Sequence, residues 1–138
     1  MIELNGSDAE SYSGLLQVLL WRGDTAGAIA AAELLRQFQP HISVDNAFYL
    51  GTAYVLADRS ADAIPVLEEA VDRNPGVQFN QVMLAAAYAA AGRQQEAAQQ
   101  AQMVHQRFPR QSFQQFGSLL RDPEQREKLA RALKTAGL

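Results

Sequence analysis

Apolar residues recur along this chain on two scales. On the short scale they fall three or four residues apart. Leu15, Leu16, Leu19 and Leu20 form one such stripe, Phe48, Leu50, Tyr54 and Val55 a second, and Val82, Leu84, Ala85 and Tyr88 a third. Each stripe is followed, after a short polar break, by another: Ala28, Ile29, Ala32 and Leu35; then Ala63, Ile64, Leu67, Ala70 and Val71; then Ala97, Ala98, Ala101 and Val104. This spacing puts the apolar side chains on one face of a helix, so the pattern predicts three helix pairs. On the long scale the pairs repeat. Leu50 and Leu84, Tyr54 and Tyr88, Ala63 and Ala97, and Pro75 and Pro109 are each 34 residues apart. Leu15 to Leu50, Ala28 to Ala63 and Pro40 to Pro75 are 35 apart. A period in this range, kept by several classes of position, marks a solenoid built from one repeated supersecondary unit.

The breaks carry turn chemistry at matching places. Gly23, Asp58 and Gly92 stand between the two helices of each unit, and Gly or Asp tolerates the left-handed conformation that ends a helix. Asp24 and Ser60 follow as expected caps for the second helices, each offering an oxygen to a free backbone N–H. Pro40, Pro75 and Pro109 close the units, because proline cannot continue a helix and biases the residue before it towards extended backbone. Small side chains sit at Gly51 and Ala85, and at Ala28, Ala63 and Ala97. Antiparallel helices approach closely where such residues meet, with Tyr54 and Tyr88 as wedges between neighbouring helices. All these positions read as core.

Leu50-Gly51-x-x-Tyr54, with Ala63, Ala70 and Pro75, resembles the tetratricopeptide repeat, and Leu84, Ala85, Tyr88, Ala97 and Pro109 follow the same pattern. The first unit is more degenerate, with Leu16 and Leu19 where the small residue and the tyrosine are expected. The resemblance implies an all-α fold: a right-handed superhelix of three tetratricopeptide-like helix pairs (9–43, 44–77 and 78–111), plus C-terminal capping helices over 112–138 in the same domain. It also implies a protein-interaction scaffold.

Beyond residue 111 the repeat is lost. Phe113, Phe116, Leu119 and Leu120 suggest a helix continuing the stack. Asp122-Pro123-Glu124 then opens another, with Asp as cap, Pro at the first helical position and acid at the positive end. Leu129 and Leu133 give it an apolar stripe and Gly137 ends it. The expected role is to cover the last repeat. The stretch from Arg121-Asp122-Pro123-Glu124 to Lys134-Thr135-Ala136-Gly137-Leu138 also resembles the close of repeat regions in some bacterial adenylate cyclases and regulators, which suggests a piece or relative of a larger signalling protein.

Composition narrows the function. The 138 residues carry a net charge of -3 and the twelve Lys and Arg are scattered, so the dense basic patch that nucleic acid demands is missing. No apolar run approaches the roughly 20 residues that span a bilayer, and with neither a basic nor an apolar stretch at Met1 to Asn5 no secretory leader is expected. Without cysteine, thiolate and disulfide chemistry are excluded and a reducing compartment is permitted; with no leader or span expected, the expected setting is cytoplasmic. His41 and His105 lie apart and read as solvated, so no metal is expected. No phosphate-binding glycine motif occurs and no cofactor is expected. Glu68, Glu69 and Asp72 flank core positions as a solvated face, as do the glutamines from Gln94 to Gln106. No catalytic constellation assembles, and the expectation is a non-enzymatic protein.

The resemblance places the first helix of each unit on the concave surface. The inward positions are Ser13, Gln17, Leu20 and Trp21, then Asp45, Phe48, Thr52 and Val55, then Phe79, Val82, Ala86 and Ala89. Some relatives clamp acidic tails with basic residues there, but Ser13, Gln17, Tyr49, Phe79 and Met83 include none. The groove is apolar, which normally marks a binding site or something covering one. The candidate partner-binding residues are Gln17, Trp21, Phe48, Thr52, Val55, Phe79, Val82 and Ala86, for an apolar or amphipathic protein segment. Three alternatives stay open for Trp21, Phe48 and Phe79: they are core, the tail helix folds back over them, or they form a homodimer contact within a structural module.

Overall fold

The computed structural model describes residues 6–39, 41–109, 118 and 120–138, with side chains from residue 11 onward. Pro40, Phe113, Phe116 and Leu119, on which part of the sequence reading falls, lie outside the described residues. Seven helices and no strands occur among the described residues: α1 Gly6–Arg22, α2 Thr25–Phe38, α3 Val44–Leu56, α4 Ser60–Arg73, α5 Gln78–Ala90, α6 Gln94–Arg107 and α7 Pro123–Ala136. The pairs α1/α2, α3/α4 and α5/α6 are the three expected helix pairs, each packed within itself and against the next.

One turn geometry joins the two helices of every pair. Gly23, Asp58 and Gly92 have φ of 92°, 62° and 80°, the left-handed region. The residue after each donates its N–H to a carbonyl five positions back: Asp24 to Leu19 (2.9 Å), Arg59 to Tyr54 (2.8 Å) and Arg93 to Tyr88 (2.8 Å). This satisfies a helix-end carbonyl that would otherwise lack a partner.

Capping of the second helices diverges from expectation at one site. Asp24 caps α2, its carboxylate accepting from Gly27 N at 2.9 Å. Ser60 is not a cap: it is the buried first residue of α4, and the cap position belongs to Arg59, which makes no side-chain cap bond. The helix begins one residue earlier than a serine cap would need. Arg59 instead turns its guanidinium onto Asp62 in the first helical turn (2.9 Å), and Arg93 does the same with Glu96 (2.6 Å).

The core runs through all three pairs, with Leu16, Leu20, Leu50, Leu67, Met83 and Val104 at most 0% exposed. At Gly51 a β-carbon would sit 2.7 Å from Leu67 Cδ2, so α3 and α4 meet where only hydrogen fits. Helices α1, α3 and α5 touch in sequence, while α2 does not reach α4, nor α4 α6. The first helices of the pairs therefore form the inner side of the stack. Helix α7 starts as its sequence predicts, with Asp122 accepting from Glu124 N (2.9 Å) and Pro123 following, and it ends at Gly137 with φ 103°. It covers the last repeat as expected and extends past it. It packs chiefly on α5 and also reaches α3 and α6, because its two leucines find the apolar inner side rather than the glutamine-rich α6.

Candidate functional site

The inner face carries a connected run of aromatic rings. Trp21 of α1 meets Tyr49 of α3 edge-on at 6.1 Å between centroids. Tyr49 meets Phe48 at 5.8 Å, and Phe48 meets Phe79 of α5 at 5.0 Å. All four are partly buried. Helical spacing explains the run: Phe48 and Tyr49 are adjacent on α3, so one ring leans towards α5 and the other towards α1. Edge-to-face pairs of this kind stabilise by about 0.5–1.5 kcal/mol beyond area burial. Each ring therefore holds its neighbour in place while keeping some surface in water.

The other candidates divide by burial. Gln17 is exposed. Thr52 and Val55 are 1% exposed, and Val82 and Ala86 are 0% exposed. Thr52 turns its hydroxyl onto its own helix, donating to Phe48 O at 2.7 Å. Val55, Val82 and Ala86 belong to one apolar cluster with Leu120, Leu129 and Leu133, so the tail supplies the other side of their packing. The structure thus brings Trp21, Phe48 and Phe79 together at a half-open surface and places the remaining apolar candidates in a closed one.

Helix α7 lies across the turn ends of all three pairs. Arg121 N donates to Trp21 O at 2.9 Å. Gln125 Nε2 donates to Gly23 O at 3.2 Å. Lys128 Nζ donates to Leu56 O at 3.2 Å and forms an ion pair with Asp58. At the far end Gln94 Nε2 donates to Thr135 O (2.8 Å), and His105 Nε2 lies 2.9 Å from Gly137 O. Leu129, Ala132, Leu133 and Ala136 are buried, which is a helix stripe at three- and four-residue spacing. Among the described residues Trp21 Nε1, Asn80 Oδ1, Gln81 Oε1 and Gln125 Oε1 are buried without a hydrogen-bond partner, the last of them beside Gly23.

Several polar residues hold the pairs together that the sequence reading did not single out. Asn46 Nδ2 donates to Ser13 Oγ (2.7 Å), tying α3 to α1. Asn80 Nδ2 donates to Val44 O (3.1 Å), tying α5 to α3. Both are nearly fully buried, and their 34-residue separation was the available signal. Gln100 is buried and donates to Gln81 O at 3.2 Å, so the glutamine face of α6 is solvated only in part. Glu68 and Glu69 are exposed yet engaged, with Tyr88 Oη at 2.8 Å and with exposed His41 Nδ1 at 2.9 Å. Among the described residues no cluster of His, Cys, Asp or Glu could hold a metal ion, and no helix is long and apolar enough to cross a membrane.

Stacked antiparallel helix pairs with an apolar inner side define a helical-repeat protein, the class that presents surfaces to other proteins. Within it, residues 80–110, which span α5 from Asn80 onward and all of α6, match the family model of the tetratricopeptide repeat. The match falls on the unit containing Leu84, Ala85, Tyr88, Ala97 and Pro109, and it supports the tetratricopeptide resemblance. No curated protein matches the chain.

Proposed function

We propose that this chain is a protein-interaction scaffold whose inner face engages an apolar or amphipathic segment of a protein partner, with Trp21, Phe48 and Phe79 as its anchors and Gln17 at its edge. The observation that carries the reading is the aromatic run itself. Partly buried rings that fix one another offer large contact area at low entropic cost, and such residues dominate binding surfaces. Thr52, Val55, Val82 and Ala86 extend the same face where α7 lies. The role is one of binding, without a catalytic step. The test is a Phe48→Ser/Phe79→Ser variant, checked for unchanged helicity by circular dichroism. Partner capture should fall at least about tenfold, the loss of a single anchor's 1.4 kcal/mol or more. Undiminished capture by the folded variant removes the face assignment.

A second reading, a self-associating structural module, is favoured by Leu15 and Val18. These stay 45% and 50% exposed on α1. Light scattering over a concentration series separates the two: a constant monomer favours the scaffold, and mass that rises with concentration favours self-association.

A further inference from the structure

Helix α7 is seated on the repeats as a bound peptide would be. It runs from the Gly23 turn past the Asp58 turn to the start of α6, so one amphipathic helix touches every pair. Its hold on Gly23 O and Leu56 O is directed at backbone carbonyls, which any suitably placed donor can reach. Its apolar contribution is short: Leu129 and Leu133, flanked by Ala132 and Ala136. Its outer face is exposed and charged through Glu124, Glu127, Arg131 and Lys134. The seating is also incomplete. Gln125 Oε1 stays buried and unpaired beside Gly23 at one end of the seat, and a buried polar group without a partner weakens whatever leaves it so.

From these observations we infer that the α7 seat is the binding site for a partner's amphipathic helix of the same pattern, and that α7 is its built-in competitor. The partner helix carries two leucines four residues apart, alanines beside them, and a lysine or arginine one position before the first leucine to meet Asp58. Helix-in-groove recognition needs this arrangement of apolar anchors at helical spacing. A site occupied internally binds an outside ligand only in the fraction of molecules where the occupant has left, so affinity falls by that fraction. The inference rests on the reading of the inner face as a binding surface and adds the occupant and the partner's chemistry.

The probe is a fluorescein-labelled synthetic peptide of residues 120–138, titrated by anisotropy into the full chain. Leu129→Ser/Leu133→Ser empties the seat, and that variant is expected to bind the peptide at least about tenfold more tightly than the wild type. Equal affinity in the two proteins, or no binding by a variant that keeps its helicity, overturns the inference. Should the double variant not fold, Lys128→Ala loosens α7 at its edge alone, and it is expected to bind the peptide several-fold better than wild type; no gain overturns the proposal. In the wild type, amides of α7 are expected to exchange with deuterium well before those of α3 and α5, and exchange of all three together has the opposite meaning. A wild-type dimer that survives dilution and is lost in Leu129→Ser/Leu133→Ser would put a second copy's α7 in the seat and overturn the proposal. Placing Phe48→Ser/Phe79→Ser in the emptied background separates the two readings. Tight peptide binding that ignores those changes upholds the α7 seat and fails the aromatic anchors.

Discussion

The guanidinium of Arg93 lies over the ring of Tyr88, 5.0 Å from its centroid. One repeat earlier Arg59 covers Tyr54 at 4.8 Å. Each tyrosine also reaches back to the preceding pair: Tyr54 Oη donates to Glu33 at 3.0 Å and Tyr88 Oη to Glu68 at 2.8 Å. Each arginine also pairs with the acid in the first turn of the next helix, Asp62 or Glu96, and Arg59 pairs with Glu33 as well. One arrangement, occurring twice, therefore links a first helix to the helix before it and to the turn after it. Tyr88→Phe keeps the ring and loses the bond to Glu68. Since Glu68 is exposed and can turn to water, urea denaturation is expected to show a loss near the low end of about 0.5–1.5 kcal/mol. Tyr88→Ala is expected to cost about 3–5 kcal/mol, since it also empties the wedge.

The same tyrosine sets an alkaline limit. Burial first, then the hydrogen bond and charge of Glu68, push the Tyr88 hydroxyl up to about 12 from its ordinary value near 10.0. A folded pKa above the unfolded one means that the contribution is complete below the unfolded value and is lost as pH rises through the folded one. Stability should therefore decline between about pH 10 and 12. Ellipticity at 222 nm in urea, followed across that window, should fall more steeply for wild type than for Tyr88→Phe.

Two glycines should fail for different reasons. Gly51→Ala places a β-carbon 2.7 to 2.9 Å from the branch atoms of fully buried Leu67. Its expected cost is about 1–3 kcal/mol of overpacking, reduced by up to about 1 kcal/mol of helix propensity. At Gly92 nothing lies within 4 Å, and the cost comes from φ 80° alone. Gly92→Asn should then recover much of what Gly92→Ala loses, because asparagine tolerates the left-handed region, whereas Gly51→Asn should be worse than Gly51→Ala. Thermal melts of the four variants check the contrast.

Capping should separate Asp24 from Ser60. Asp24→Ala removes an oxygen that accepts from Gly27 N and is expected to cost about 1 kcal/mol. Ser60→Ala removes no cap bond and should cost less than Asp24→Ala. Chemical denaturation of the two single variants is sufficient.

Pro65 stands inside α4 with its ring on the exposed side. Replacing it with alanine restores a donor and relieves the clash with the preceding turn. Pro65→Ala is expected to raise stability, by at most about 3 kcal/mol, read as a higher denaturation midpoint with an unchanged slope.

Helix pairs, turns and the small-residue contact were legible in the sequence because each is written locally. A left-handed turn needs Gly or Asp at one position, an amphipathic helix needs its stripe, and a repeat writes both at one interval, as Gly23, Asp58 and Gly92 do. The Tyr54–Glu33 and Tyr88–Glu68 bonds, the ties through Asn46 and Asn80, and the exclusion of Ser60 from capping were not read. Polar residues at such positions look like ordinary surface until a partner helix is set beside them. Aromatic candidates such as Phe48 and Phe79 could be placed on the right helices, yet how far water reaches them depends on their neighbours. By itself the sequence determined that α7 exists, where it begins and ends, and that Leu129 and Leu133 share its buried face. Only the tertiary structure decided what that face meets. The choice between the inner side and the end of the stack is made by contacts such as Lys128 with Asp58 and Gln125 with Gly23, which join residues 70 and 102 positions apart. A helical stripe encodes that a face is apolar, and carries no record of which distant surface will cover it.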